Sequence, residues 1–434
     1  RQNVFSKNYL SNNKFQKLLK KDLDKIWTNE TLSIPYEKSG KIFYYFNDGN
    51  LQQSILMVID CPSCEPRVLI DPNTFSDDGT ISLGGTSVSN DGSMIAYSIS
   101  DGGSDWREWR IMNIDSGEVL ADHIRWSKFS NATWENDDSG FYYQKYEEPD
   151  GEALKEINSI PSLMFHKIGT DQSDDILIYN NPNKPRWSWS INVVRDTNIK
   201  LLSISDGTDP RNRLYIQKSI SSDFEPLISE LKGAYNFIGN DKNLLFFYST
   251  DDAPNGKIIS LEVKEDTYEW KKVINETKES INSSNYINQK LVISYLSDTY
   301  TSVKFFDQSG SLLHKLNTQS KGTIRGFYGN KDTKSSYFSF TNFVTPNTIY
   351  KIDLENYDID LFWQESISGF DQKKYDSSLI FYSSKDGTKI PLHISHQKNL
   401  KITKSTPILL YGYGGFDISL APRFSKSYLA WMNQ

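Results

Sequence analysis

A unit of about 45 to 50 residues recurs seven times along this chain, and that period limits the possible folds more than any other feature. Each copy has a polar turn, a short apolar or aromatic strand, and a second strand several residues later. The first strands begin near Ile42, Met94, Phe141, Lys200, Leu244, Leu291 and Tyr337. Glycine, asparagine and aspartate mark the turns, as in Ser89-Asn90-Asp91-Gly92 before Met94 and Asp137-Asp138-Ser139-Gly140 before Phe141. Partner strands are equally regular, for example Trp109–Ile114, Lys257–Val263 and Thr348–Leu354. The strands read as continuous apolar runs. A strand covered by neighbours on both faces reads that way, whereas a half-buried strand alternates. Period and pattern together predict a mainly all-β chain built as a seven-bladed β-propeller, in preference to unrelated β-sandwiches.

Two stretches fall outside the repeat. Apolar residues at Leu10, Phe15, Leu18, Leu19, Leu23 and Ile26 predict one amphipathic helix over Asn8–Trp27. From about Phe370 the pattern changes again, with strands predicted at Leu379–Tyr382, Ile390–His396 and Pro407–Tyr411. The expected division is an N-terminal helical segment (1–30), the propeller (31–366), and the start of another domain (367–434).

Composition narrows the function. The chain is 37% hydrophobic and 24% charged, ordinary for a folded protein, and 13% aromatic, which favours strands. The net charge of −7 comes with scattered Lys and Arg. The basic cluster Lys17–Lys25 alternates with Asp22 and Asp24 and reads as a solvated helix face. No nucleic-acid stripe and no membrane span are expected. The two cysteines, Cys61 and Cys64, form a C-x-x-C that could be half a zinc site, a redox pair or a plain surface turn. No second soft-ligand cluster accompanies them, so a surface turn in a reducing, cytoplasmic setting is expected, with no metal or cofactor.

The most informative stretch is Pro407-Ile408-Leu409-Leu410-Tyr411-Gly412-Tyr413-Gly414-Gly415-Phe416. An apolar run entering an aromatic-Gly-x-Gly-Gly turn resembles the oxyanion loop of α/β-hydrolases, although a plain glycine turn would share the motif. Six separated motifs extend the likeness. They are Tyr411–Phe416, Ser384-Lys385-Asp386-Gly387 running to Pro391, Asp71–Thr80, Gly103-Ser104-Asp105-Trp106, Gly169–Ser173, and Asp209-Pro210 with Asn212-Arg213-Leu214. In this order they resemble the prolyl oligopeptidase family of serine peptidases over essentially the whole chain.

That resemblance implies a serine endopeptidase acting after proline in short peptides, with the propeller filtering substrate size. It implies that Tyr413 donates its hydroxyl to the oxyanion, that Phe416 walls the proline pocket, and that Phe129 belongs to an outer pocket. For Phe129 a core aromatic is the alternative. Ser188, Ser205 and Thr208 stand where the family often has Met, Arg and Cys, which implies more polar outer subsites. The family's Ser, Asp and His lie beyond Phe416, and no G-x-S-x-G occurs in this sequence. The five histidines show no triad context and read as structural. The chain alone is therefore expected to be inactive, to need a C-terminal catalytic half, and to leave the apolar faces of its end segments exposed or misassembled without that half. The competing readings are a non-catalytic propeller serving as an interaction platform, and a related oligopeptidase of different specificity.

Overall fold

The computed structural model describes residues 2–11, 13–151, 160–219, 222–265, 267–318, 320–416 and 418–434. Its strands group into seven four-stranded antiparallel units in chain order. Blade 1 is Tyr36–Lys38, Lys41–Asn47, Ile55–Ile59 and Arg67–Ile70, with Thr31–Leu32 added beside Lys41–Asn47. Blade 2 runs from Ile81–Val88 to Val119–Ser127, and blade 3 from Thr133–Trp134 to Ile176–Tyr179. A single pairing, Ser127 with Lys145, links these two into one sheet. Blades 4 to 7 are separate sheets that begin at Trp187–Val193, Tyr235–Asp241, Ser280–Ile287 and Thr323–Gly326. Each strand read as the first of a repeat is the second of its blade, and its observed start lies within two residues of the predicted one.

The hydrophobic clusters lie between blades. Phe43, Leu56 and Val58 of blade 1 pack on Ile95, Met112 and Ile114 of blade 2. Trp109 and Ile111 of blade 2 meet Trp134 and Phe141 of blade 3. The same arrangement continues to blade 7, where Phe338 and Ile352 pack on Val303 and Phe305 of blade 6. Successive side chains on a strand point to opposite faces. Phe247 accordingly joins the cluster shared with blade 4, and Phe246 the one shared with blade 6. That two-sided burial is why the strands read as unbroken apolar runs. The predicted turns form as well: Gly92, at φ +75°, takes the left-handed position that closes Ser89–Gly92.

The sequence reading needs four corrections. The single N-terminal helix is two, α1 (Gln2–Ser11) and α2 (Lys14–Trp27). Asn13 separates them because its side chain caps α2, accepting a hydrogen bond from the Phe15 amide. Second, Pro407–Tyr411 is not a strand. The hairpin Tyr375–Ser383/Lys389–Gln397 forms as predicted, but this apolar run pairs with neither of its strands. Third, the end segments are only partly uncovered. Ile26 of α2 packs with Ile367, Tyr375 and Leu429, the last in α3 (Lys426–Met432), and Phe15 meets Trp431 edge-on at 5.7 Å. Fourth, Cys61 and Cys64 are joined by a disulfide, because the turn that donates the Cys64 amide to the Cys61 carbonyl brings their Cα atoms to 5.0 Å. The surface-turn reading holds, but the pairing runs against the expectation of a reducing setting.

Candidate functional site

The glycine-rich turn lies open. Ile408, Leu410 and Phe416 are 82%, 79% and 92% exposed, and Tyr413 is half-exposed. A β-carbon at Gly412 or Gly414 would meet nothing within 4 Å, so no packing requires glycine there. At Gly415 a β-carbon would lie 3.3 Å from the Tyr413 hydroxyl oxygen, so the phenol folds back over that glycine. Phe416 itself is left-handed, at φ +55°, an unusual conformation for a bulky residue. A phenol held over bare backbone, with its hydroxyl reachable from solvent, can donate one hydrogen bond to a developing negative charge without bringing a charge of its own.

Phe129 belongs to the segment between blades 2 and 3. It is 73% exposed, which rules out the core alternative, and it too is left-handed, at φ +51°. The depression beside it has a polar lining that includes Asp105, Arg107 and Asn131. Three residues earlier Trp126 is also left-handed, at φ +59°. Its ring meets Trp106, from the Gly103–Trp106 motif, edge-on at 5.3 Å, and the Lys128 ammonium stands 4.0 Å over the Trp106 ring. Tyr413 and Phe416 thus share one turn. Among the described residues no hydrogen bond or ring contact joins either of them to Phe129.

The departures from the family pattern fall on blade 4. Ser188 and Ser205 are register partners on adjacent strands, so two small hydroxyl residues face one another there. The Arg213 guanidinium covers the neighbouring Trp187 ring at 4.3 Å. In the Asp-Pro motif, Asp209 accepts from Nε and Nη2 of Arg211 at 2.9 and 2.7 Å. That side-chain contact, with the Arg211 amide, holds the Asp209 carboxyl down at about 2.

Sequence reasoning missed one cluster. His166 is fully buried in blade 3, with Nδ1 2.7 Å from Asp175 and Nε2 3.0 Å from Asp122. The histidine is structural, as expected, but its two carboxylates were not foreseen. They lie 9 and 44 residues away in sequence, so no local motif announces them. The only sequence signal was that Gly169–Ser173, one of the family-like motifs, lies between His166 and Asp175.

Four-stranded antiparallel blades repeated around shared inter-blade cores define a β-propeller protein. The family model for the prolyl oligopeptidase N-terminal β-propeller domain matches residues 1–365, and the chain belongs to that family. The prolyl endopeptidase of Elizabethkingia miricola is 36% identical over 433 residues, covering 99% of this chain and 60% of its relative. That of Elizabethkingia meningoseptica is 35% identical, with the same coverage. A solved prolyl endopeptidase structure matches with a TM-score of 0.84 at 29% identity, over 99% of this chain and 62% of the other. Prolyl oligopeptidase B from Galerina marginata, bound to a 35mer hydrolysis and macrocyclization substrate, matches with a TM-score of 0.90 at 25% identity, over 98% and 63%. The chain therefore spans about 60% of the length of the curated relatives it matches. Among the described residues, no helix is long and apolar enough to cross a membrane.

Proposed function

We propose that this chain is the propeller-bearing N-terminal part of a serine endopeptidase that hydrolyses short peptides on the C-terminal side of proline. The division is 1–30 for the helical segment, 31–366 for the propeller, and 367–434 for the start of the peptidase domain. In the complete enzyme a serine attacks the scissile carbonyl, a histidine moves the proton and an aspartate orients the histidine. All three come from sequence beyond Phe416. Tyr413 donates its hydroxyl to the oxyanion. Phe416 walls the proline pocket, since a flat apolar ring suits a pyrrolidine. Phe129 contributes an outer contact from the propeller side, and the paired Ser188 and Ser205 make the neighbouring subsites more polar. The propeller limits which substrates reach the site. The enzyme needs no cofactor.

The observation that carries this reading is the exposed Tyr411–Phe416 turn, set next to a propeller of the prolyl oligopeptidase family. An interaction platform would have no use for a phenol poised over glycine backbone. The test is turnover of a short proline-containing fluorogenic peptide. The purified 434-residue chain should show none, because a triad acts as a unit. The same chain continued through a catalytic segment should show turnover that a serine-directed inhibitor blocks. Inhibitor-sensitive turnover by the chain alone, surviving repurification, would refute the assignment. So would a continued chain that folds, reacts with the inhibitor, and yet does not cleave after proline.

A further inference from the structure

The cluster around His166 leads from a buried charge to the bend that carries Phe129. Both ring nitrogens of His166 face a carboxylate oxygen, Asp175 at Nδ1 and Asp122 at Nε2. A neutral imidazole donates from one nitrogen only, and would then turn a lone pair on the other carboxylate. All three side chains are buried, so water cannot relieve that repulsion. The arrangement calls for an imidazolium that donates on both sides. The carboxylates approach opposite nitrogens and do not converge on one point, so the trio is not built as a cation site. Burial by itself would push the His166 imidazole down, but the two carboxylates more than offset it, and the group is raised.

The remaining donors have fixed directions. The Tyr143 hydroxyl gives its single proton to Asp175 Oδ2 at 2.6 Å, so it can only accept from Gln172 Nε2 at 3.0 Å. That contact fixes which way the Gln172 amide points. Its other N–H donates to the Arg125 carbonyl at 3.0 Å, and its oxygen accepts the Arg125 amide at 3.0 Å. Arg125 is thus held on both backbone groups immediately before Trp126. Asp122 also accepts the Gly169 amide at 2.6 Å, which ties blade 3 to the strand of blade 2 that contains Arg125. The groups facing His166 are Asp122 from that strand, Asp175 beyond the outer turn, and Phe141 from the central strand of blade 3. Tyr143 from the same central strand meets the imidazole only through Asp175. A bend with two left-handed bulky residues, Trp126 and Phe129, persists only where its surroundings hold it.

We propose that doubly protonated His166 is a positioning residue: through Asp175, Tyr143 and Gln172 it fixes the backbone bend from Arg125 to Phe129. The importance of that bend for substrate rests on the function proposed above; the positioning does not.

The test uses the 434-residue chain and needs no turnover. With nitrogen-15 histidine, both ring N–H signals of His166 should persist at neutral pH and be lost only at alkaline pH. With 5-fluorotryptophan, the Trp126 signal, assigned by its loss in Trp126→Phe, should shift with the same midpoint. Gln172→Ala should leave the histidine titration in place and abolish the coupled Trp126 shift. The Gln172 side chain bonds to neither His166 nor its two carboxylates, so the inference stays testable even if His166→Gln fails to fold. A single ring N–H at neutral pH would overturn it. So would a Trp126 signal that ignores the histidine titration, or one still coupled in Gln172→Ala. Failure here leaves Phe129 free to line a pocket. Conversely, unchanged peptide affinity in Phe129→Ala would end the pocket reading while leaving these signals intact.

Discussion

Two apolar runs of similar composition meet opposite fates in this molecule. Leu245, Phe246 and Phe247 in blade 5 are each 0% exposed, whereas Ile408, Leu409 and Leu410 are 82%, 52% and 79% exposed. Nothing within the runs themselves decides this. The blade 5 run has a hydrogen-bonded strand on each side and a neighbouring blade over each face. Among the described residues the Ile408 run has no strand partner, and its side chains stay largely in solvent. Burial belongs to the neighbours that a run finds, and the propeller repeat supplies those neighbours within this chain. Among the described residues, no sheet strand pairs with 405–416.

The largest effect should come from cutting into the blade cores. Phe247→Ala removes a ring that meets Phe237 at 5.7 Å and Trp270 at 5.4 Å, and should cost about 3 to 5 kcal/mol in denaturant unfolding. A loss below about 1 kcal/mol, as at an ordinary surface site, would break the comparison.

The turn should respond in chemistry and hardly at all in stability. In a chain carrying a catalytic segment, Tyr413→Phe should lower kcat by about a hundred- to a thousand-fold, because the donor acts mainly once negative charge has developed. Turnover within a few-fold of the parent would reduce Tyr413 to a turn residue. Phe416→Ala should instead raise KM for proline peptides, with a smaller change in kcat.

The buried charge adds a pH dependence confined to the propeller. An unfolded imidazole titrates near about 6.5, and His166 is raised above that in the fold. Its stabilising contribution is therefore complete below the unfolded value and is lost as pH rises through the folded one. Thermal stability measured from neutral to alkaline pH should fall more steeply for the parent than for His166→Gln. Parallel curves would remove the charged clamp. The smallest effect is expected at the open run: Leu410→Ala should change the stability of this chain by no more than about 0.5 kcal/mol.

Much of this was legible in the sequence, for a physical reason. Blade strands find partners within about 10 to 20 residues through tight turns, so turn residues and apolar runs predict them locally. Met94, Leu244 and Lys257 begin strands at the residues where they were read. Where the prediction failed, the deciding contact was distant, or it opposed a periodic pattern. Pro407–Tyr411 has strand composition but no strand to pair with. The break at Asn13 depends on one capping side chain within an otherwise continuous helical period. The Asp122–His166–Asp175 cluster joins three strand-scale segments across two blades, and no spacing rule foretells it. The turn at Tyr413 was legible as a motif, whereas its exposure was not.

Hydrogen exchange read by mass spectrometry tests the contrast most directly. In the 434-residue chain, peptides spanning Met94–Asp101, Leu244–Ser249 and Lys290–Ser297 should be strongly protected, while those spanning 405–416 should exchange at nearly the rate of unstructured backbone. When the chain is continued through a catalytic segment, 405–416 should gain protection comparable to the blades. Blade-like protection of 405–416 in the chain alone, or no gain on continuation, would contradict the contrast drawn between the covered blade strands and the open run.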